Sequence, residues 1–172
     1  MAERFTKASI DLGIVTSDGD RSLAFYRDTL GLTPEFSVPL YDGGVMHRLL
    51  CGTSIFKIMA PGVMPQGGIT STAPDEPTTT VEGLVELCVQ QRGFRFISIW
   101  VADIDAAFEQ CIRDRAPVVY PAMESRPGVR VAVVEDPDGN WVEFVEMVDA
   151  DVARDDLATK HDLRAEAAAA SS

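Results

Sequence analysis

Two stretches of the chain carry the same succession of apolar and polar positions. Residues 8–32, ASIDLGIVTSDGDRSLAFYRDTLGL, place apolar Ile10, Leu12 and Ile14 at every second position, the period of a strand with one covered face. Asp18 follows, then Leu23, Tyr26 and Leu30 at helical spacing, then Gly31, which accepts the left-handed conformation where a helix stops. Residues 94–116, FRFISIWVADIDAAFEQCIRDRA, repeat the layout with Ile97, Ile99 and Val101, then Asp103, then Ile104, Ala107, Phe108 and Cys111. Asp18 and Asp103 stand 85 residues apart, as do Ile14 and Ile99. Downstream, residues 44–50 (GVMHRLL) match 128–134 (GVRVAVV) at an offset of 84, and residues 54–58 (SIFKI) match 140–144 (NWVEF) at 86. Four correspondences in one order at a near-constant offset read as a duplication.

Each half predicts strand, helix and three more strands, with turn signals at 41–44 (YDGG) and 136–140 (DPDGN). Such a βαβββ module leaves one sheet face bare, so two copies are expected to pair, giving an α+β fold. The expected boundaries are 8–59 for the first module and 94–147 for the second. Residues 60–93 between them begin rich in Pro, Gly, Ser and Thr and read as a linker. A short helix is expected from Val81 to Leu87 with Thr80 as its cap, although Gly83 weakens it. Residues 148–172 read as an extension, helical or frayed, because Val152, Thr159 and Leu163 give only a narrow apolar stripe.

Composition narrows the function. The chain has 172 residues, 46% of them apolar and 24% charged, which suits a globular domain with a real core. Its 15 Lys and Arg against 27 Asp and Glu give a net charge of −12, which repels phosphate backbones, so nucleic acid is not an expected partner. No apolar run is long enough to span a bilayer and the N-terminus lacks a signal-peptide core, so neither a membrane nor export is expected. Cys51, Cys88 and Cys111 form an odd, widely spaced set that reads as reduced thiols of a cytoplasmic protein.

Two motifs then carry a resemblance. Asp18-x-x-x-Ser22-x-x-Phe25-Tyr26-x-x-x-Leu30-Gly31 and the run from Val134 to Glu143, VEDPDGNWVE, resemble signatures of the vicinal oxygen chelate superfamily, which includes glyoxalase I, bleomycin-resistance proteins and extradiol dioxygenases. The resemblance covers residues 8 to 146 apart from the linker. It implies two βαβββ modules forming an open, barrel-like cleft. Where the family holds a metal, its ligands lie on the first and last strands of each module. By register those positions carry Asp11, Lys57, Phe96 and Glu143 here.

Only two of these four can ligate. A protonated lysine has no lone pair and a phenylalanine has no donor atom, so no cofactor is expected. Were a divalent metal to bind, Asp11, His47 and Glu143 are the residues left to hold it. One reading of the replacement lets the Lys57 ammonium pair with Asp11 and Glu143 where the cation once sat; the other leaves Lys57 and Glu143 in solvent.

Alternation puts Phe96, Ser98 and Trp100 on one face of the second module's first strand, and Trp141 with Glu143 on one face of its last. These residues, with His47 and Arg48 as secondary candidates, are expected to wall an aromatic pocket for a small organic molecule. Phe96 and Trp141 also have a plain reading as core residues. The function expected is small-molecule binding of the glyoxalase and bleomycin-resistance type by a homodimer. The alternative is a glyoxalase-like lyase, isomerase or dioxygenase, metal-dependent through unusual ligands or metal-independent through Lys57 and Glu143. Whether the chain is an enzyme is left open by its sequence.

Overall fold

The computed structural model of the chain describes residues 9–40, 42–63, 73–88, 96–152 and 154–155. In the first half, β1 (Leu12–Val15) leads to α1 (Gly19–Ala24), which runs on as a π-helical turn (Phe25–Thr29) into β2 (Thr33–Pro39), β3 (Val45–Cys51) and β4 (Ser54–Ala60). The second half follows α2 (Val81–Cys88) and consists of β5 (Phe96–Trp100), α3 (Ile104–Arg113), β6 (Val118–Arg126), β7 (Val129–Glu135) and β8 (Trp141–Met147). Each half is a four-stranded sheet of the same order, β1-β4-β3-β2 and β5-β8-β7-β6, with the outer pair parallel and the rest antiparallel. The α+β, twice-βαβββ architecture is the one the duplication implies.

The repeat extends to single residues. Asp18 caps α1 by accepting the Arg21 N–H at 3.0 Å, and Asp103 caps α3 by accepting that of Ala106 at 2.9 Å. An aspartate there satisfies an otherwise unpaired N–H of the first helical turn. Gly13 pairs with Lys57 across β1 and β4, and Ser98 pairs with Glu143 across β5 and β8. Lys57 and Glu143 therefore hold equivalent stations in the two sheets.

Within the first sheet, alternation sends Phe56 and Ile58 to the face covered by α1, where Tyr26 stacks on Phe56 with ring centroids 4.2 Å apart. The π-helical turn brings the adjacent Phe25 and Tyr26 inward together, and its widened ring is closed by Leu30 N–H donating to the Phe25 carbonyl at 3.0 Å.

The second sheet is covered on both faces. Ala132, Val134, Val142 and Phe144 lie on the face against α3, with Ile104 and Cys111 buried beneath that helix. Burial, then the nearby Asp114, pushes the Cys111 thiol up to about 12, so it is an inert core side chain. On the other face, Leu84 of α2 joins Val119, Tyr120, Val129, Val131, Val133, Trp141 and Val145 in one core, with Ala73, Leu87 and Cys88 packed against it.

The expected linker contains the expected short helix. Ala60 ends β4, and the stretch from Ala73 to Cys88 belongs to the second compact unit. The Thr80 hydroxyl accepts the Gly83 N–H at 3.1 Å, the cap expected for this helix, which extends to Cys88. Gly83 has a packing reason: a Cβ there would come within 2.1 Å of the Thr78 hydroxyl oxygen.

One unit comprises residues 1–72 together with Asp136–Asn140, and the other comprises Ala73–Glu135 with residues 141–172. The turn between β7 and β8 thus packs with the first half of the chain. Past β8, residues 150–152 and 154–155 are helical; Thr159, Leu163 and the alanine run of the expected extension lie outside the described residues. Among the described residues, no helix is long and apolar enough to cross a membrane.

Candidate ligand-binding site

The two sequence signatures meet in the first unit. Asp136 is almost fully buried, and its Oδ1 accepts the N–H groups of Asp138 at 2.9 Å and Asn140 at 2.8 Å. Its Oδ2 accepts the Tyr26 hydroxyl at 2.7 Å and the Asn140 side-chain amide at 2.8 Å. Next to this, the Ser22 hydroxyl donates to Asp138 at 2.8 Å and lies 2.8 Å from the Thr16 hydroxyl. Gly139, at φ 86°, lets the turn close.

Burial raises the Asp136 carboxyl above its ordinary range against the opposing pull of these donors. Burial, then the Asp136 charge, holds the Tyr26 phenol well above its ordinary value. A network so fully satisfied, with Asp136 and Tyr26 buried at its centre, is a structural lock, so the residues that carry the resemblance do so as scaffold.

The positions that the resemblance assigns to metal ligands lie elsewhere. In the first unit Lys57 stands on β4 between Gly13 and Arg48, on the face opposite α1. Arg48 pairs with Glu35 at 2.9 Å and lies 4.7 Å from the centroid of the Phe36 ring. The Asp11 carboxylate accepts the Ile55 N–H at 2.9 Å. Among the described residues Lys57 forms no ion pair, so the pairing with Asp11 that one of the two readings allowed is not made.

His47 pairs in register with Ile58, which puts it on the α1 face, away from Lys57. Its Nδ1 meets the Ser37 hydroxyl at 2.8 Å, while its Nε2 is buried without a partner among the described residues. His47 therefore faces away from Lys57 on this sheet, while Asp11 lies just before β1 and is held by the Ile55 backbone. Sequence alone could not assign that face.

In the second unit, Phe96, Ser98 and Trp100 share one face of β5, as expected, with Phe96 44% and Trp100 62% exposed. Ser98 donates a short hydrogen bond to the half-buried Glu143 in the next strand. Trp141 departs from the expectation. It lies on the same face but is 1% exposed, and its indole N–H donates to Glu135 at 3.0 Å. It fills the core beneath α2, which covers the β7 side of this face, while Phe96 and Trp100 on β5 stay exposed.

Glu135 itself was not singled out from the sequence. It is 1% exposed and also accepts the Ala73 N–H at 2.7 Å, tying the segment before α2 to the sheet. Its place two residues before the proline of the turn, on a strand of inward valines, gave no sign of a buried carboxylate.

These residues do not fit the family's metal. Lys57 and Phe96 offer no electron pair, and Ser98 already holds one oxygen of Glu143. Among the described residues, no three His, Cys, Asp or Glu side chains gather into a metal-holding group.

The model of the Glyoxalase/Bleomycin resistance protein/Dioxygenase superfamily matches residues 9–144, and the chain belongs to that family. No curated protein matches it as a relative. Among solved structures it is similar to a glyoxalase family protein from Bacillus cereus, at 16% identity and a TM-score of 0.65 over 87% of this chain and 99% of that one. Lactoylglutathione lyase from Agrobacterium tumefaciens is 20% identical, with a TM-score of 0.54 over 84% of this chain and 96% of that one. The trypanothione-dependent glyoxalase I of Leishmania major is 19% identical, with a TM-score of 0.55 over 92% and 96%. At these identities the likeness is one of fold.

Proposed function

We propose that this chain is a small-molecule-binding member of its family whose metal site has decayed. It takes an organic ligand against the bare edge of the second sheet, at Phe96, Ser98, Trp100 and Glu143. The observation that carries the reading is the pair of residues at the inherited ligand positions. Lys57 and Phe96 cannot coordinate a cation, and Phe96 offers apolar surface in place of a donor atom. Two half-exposed aromatic rings on either side of a hydrogen-bonded carboxylate have the make-up of a ligand site, apolar area with a few fixed polar groups. Lys57, with no ion pair among the described residues, and Arg48, held by Glu35, lie on the first sheet and are not assigned to this ligand.

The test is a thermal-shift series with zinc, nickel, manganese and iron(II), joined to elemental analysis of the purified protein. A ligand that binds only the folded state raises its melting temperature by mass action, so a resident metal site would answer with a shift of several degrees. The expected result is no shift and no stoichiometric metal. Equimolar metal that is lost on Glu143→Ala would sink the proposal and restore the enzymatic alternative.

We also propose a homodimer, since exposed apolar side chains on the first sheet, Val15 and Phe36 among them, favour a partner surface. Sedimentation equilibrium at micromolar concentration should return twice 18.7 kDa. A monomer across that range would count against it.

A further inference from the structure

We infer that the ligand of the β5 edge is an organic cation, an ammonium or a protonated amine carrying apolar groups; this rests on the binding function proposed above. The Glu143 carboxylate has no lysine or arginine partner among the described residues, and Ser98 is the side chain that donates to it. One of its oxygens is thereby held in place, while the other keeps its acceptor capacity. A half-buried carboxylate without a counter-charge is an unfavourable arrangement that a bound cation relieves.

The neighbours fit the same occupant. Phe96 and Trp100 stand two residues to either side of Ser98 on one strand face, so their Cα atoms lie roughly 6–7 Å from its own along the strand. Both rings are open to solvent. The negative faces of aromatic rings attract cations, tryptophan most strongly, and apolar substituents on the same ligand would cover the rings. An anionic ligand would meet Glu143 directly and the chain's net charge of −12 at long range. The rows beside the carboxylate are apolar: Val133 stands opposite Glu143 on β7, and Trp141 and Val145 flank it along β8. Among the described residues, no lysine or arginine forms an ion pair with it.

The test titrates the intact protein with three benzyl probes, following the Trp100 indole resonance by NMR and heat by calorimetry: benzyltrimethylammonium, neutral N-benzylacetamide and anionic phenylacetate. The cation should bind about tenfold more tightly than the amide, and phenylacetate should be weakest. Raising salt should narrow the difference. Glu143→Gln, which keeps the shape and the hydrogen bond to Ser98, should cost the cation about tenfold and leave the amide within twofold. Trp100→Ala should weaken both. Phenylacetate or the amide binding as tightly as the cation, or a Glu143→Gln variant that keeps the preference, would overturn the inference and leave the ligand site standing. If none of the three probes binds, the site and the inference fail together.

Discussion

Replacing Asp136 with alanine should cost about 3 kcal/mol of stability. The change strips the acceptor from the Tyr26 hydroxyl, from two backbone N–H groups and from the Asn140 amide at once. Each buried donor left without a partner carries a penalty of about 1–3 kcal/mol, offset in part because a desolvated carboxylate disappears with its acceptors. For a chain of this size the melting temperature should fall by roughly 6–12 °C. Tyr26→Phe removes one donor and should cost less, about 1.5–3 kcal/mol. The double variant should cost less than the sum, because the two side chains share one interaction.

Alkaline titration supplies an independent readout. The folded-state phenol of Tyr26 is raised above its unfolded value, so its contribution is complete below about pH 10 and is lost as the pH climbs through the folded value. Tyr26→Phe should therefore flatten the decline in stability above pH 10. Tyr120, raised by burial and then by Glu82, acts with the same sign and should account for slope that remains. Chemical denaturation between pH 9 and 11.5 measures both. Asp136→Ala costing under 1 kcal/mol, or an unchanged alkaline slope in Tyr26→Phe, would show that the network is not the lock described.

The second large effect is expected at Leu84. Only 8% exposed, it anchors α2 on the inner face of the second sheet. Leu84→Ala should cost about 2–4 kcal/mol by leaving a cavity among Val119, Tyr120 and Trp141. Leu84→Glu should go further and free the helix, since a carboxylate cannot remain there unpaired. Trp141 is the built-in reporter, because α2 is what keeps its side of the sheet dry. Its emission should shift to the red, and protease should cut between residues 73 and 88 before the strands are attacked. Unchanged emission in Leu84→Glu would mean that α2 is not the cover of that face.

The fold was legible because duplication writes each signal twice. Asp18 and Asp103 mark two helix starts, and the alternation of β1 recurs in β5, so each half checks the other. The candidate site was legible only in part. Phe96, Ser98 and Trp100 sit on a short strand whose period of two fixes a shared face. His47 could not be placed because that period says which residues share a face and not which face is covered. Trp141 was misjudged for a related reason. Its burial depends on Leu84, 57 positions earlier, in a segment whose Pro, Gly and Thr content reads as a tether. Local composition there was overridden by four apolar side chains, Leu84, Leu87, Cys88 and Ala73, that meet the sheet only in three dimensions.

The hydrogen bond from Tyr26 to Asp136 joins positions 110 apart in the chain. On the ribosome, β1 to β4 are all made before the turn that completes their unit exists, so the half synthesised first cannot close until β5, β6 and β7 have also been made. Until that turn emerges, the Tyr26 hydroxyl and the Ser22 and Thr16 pair beside it must stay open to water. A fragment ending at residue 72 should accordingly be poorly folded when expressed alone. Supplied in trans, the remainder of the chain should restore it, which makes the connection before Ala73 a natural place to split this protein into two complementing pieces.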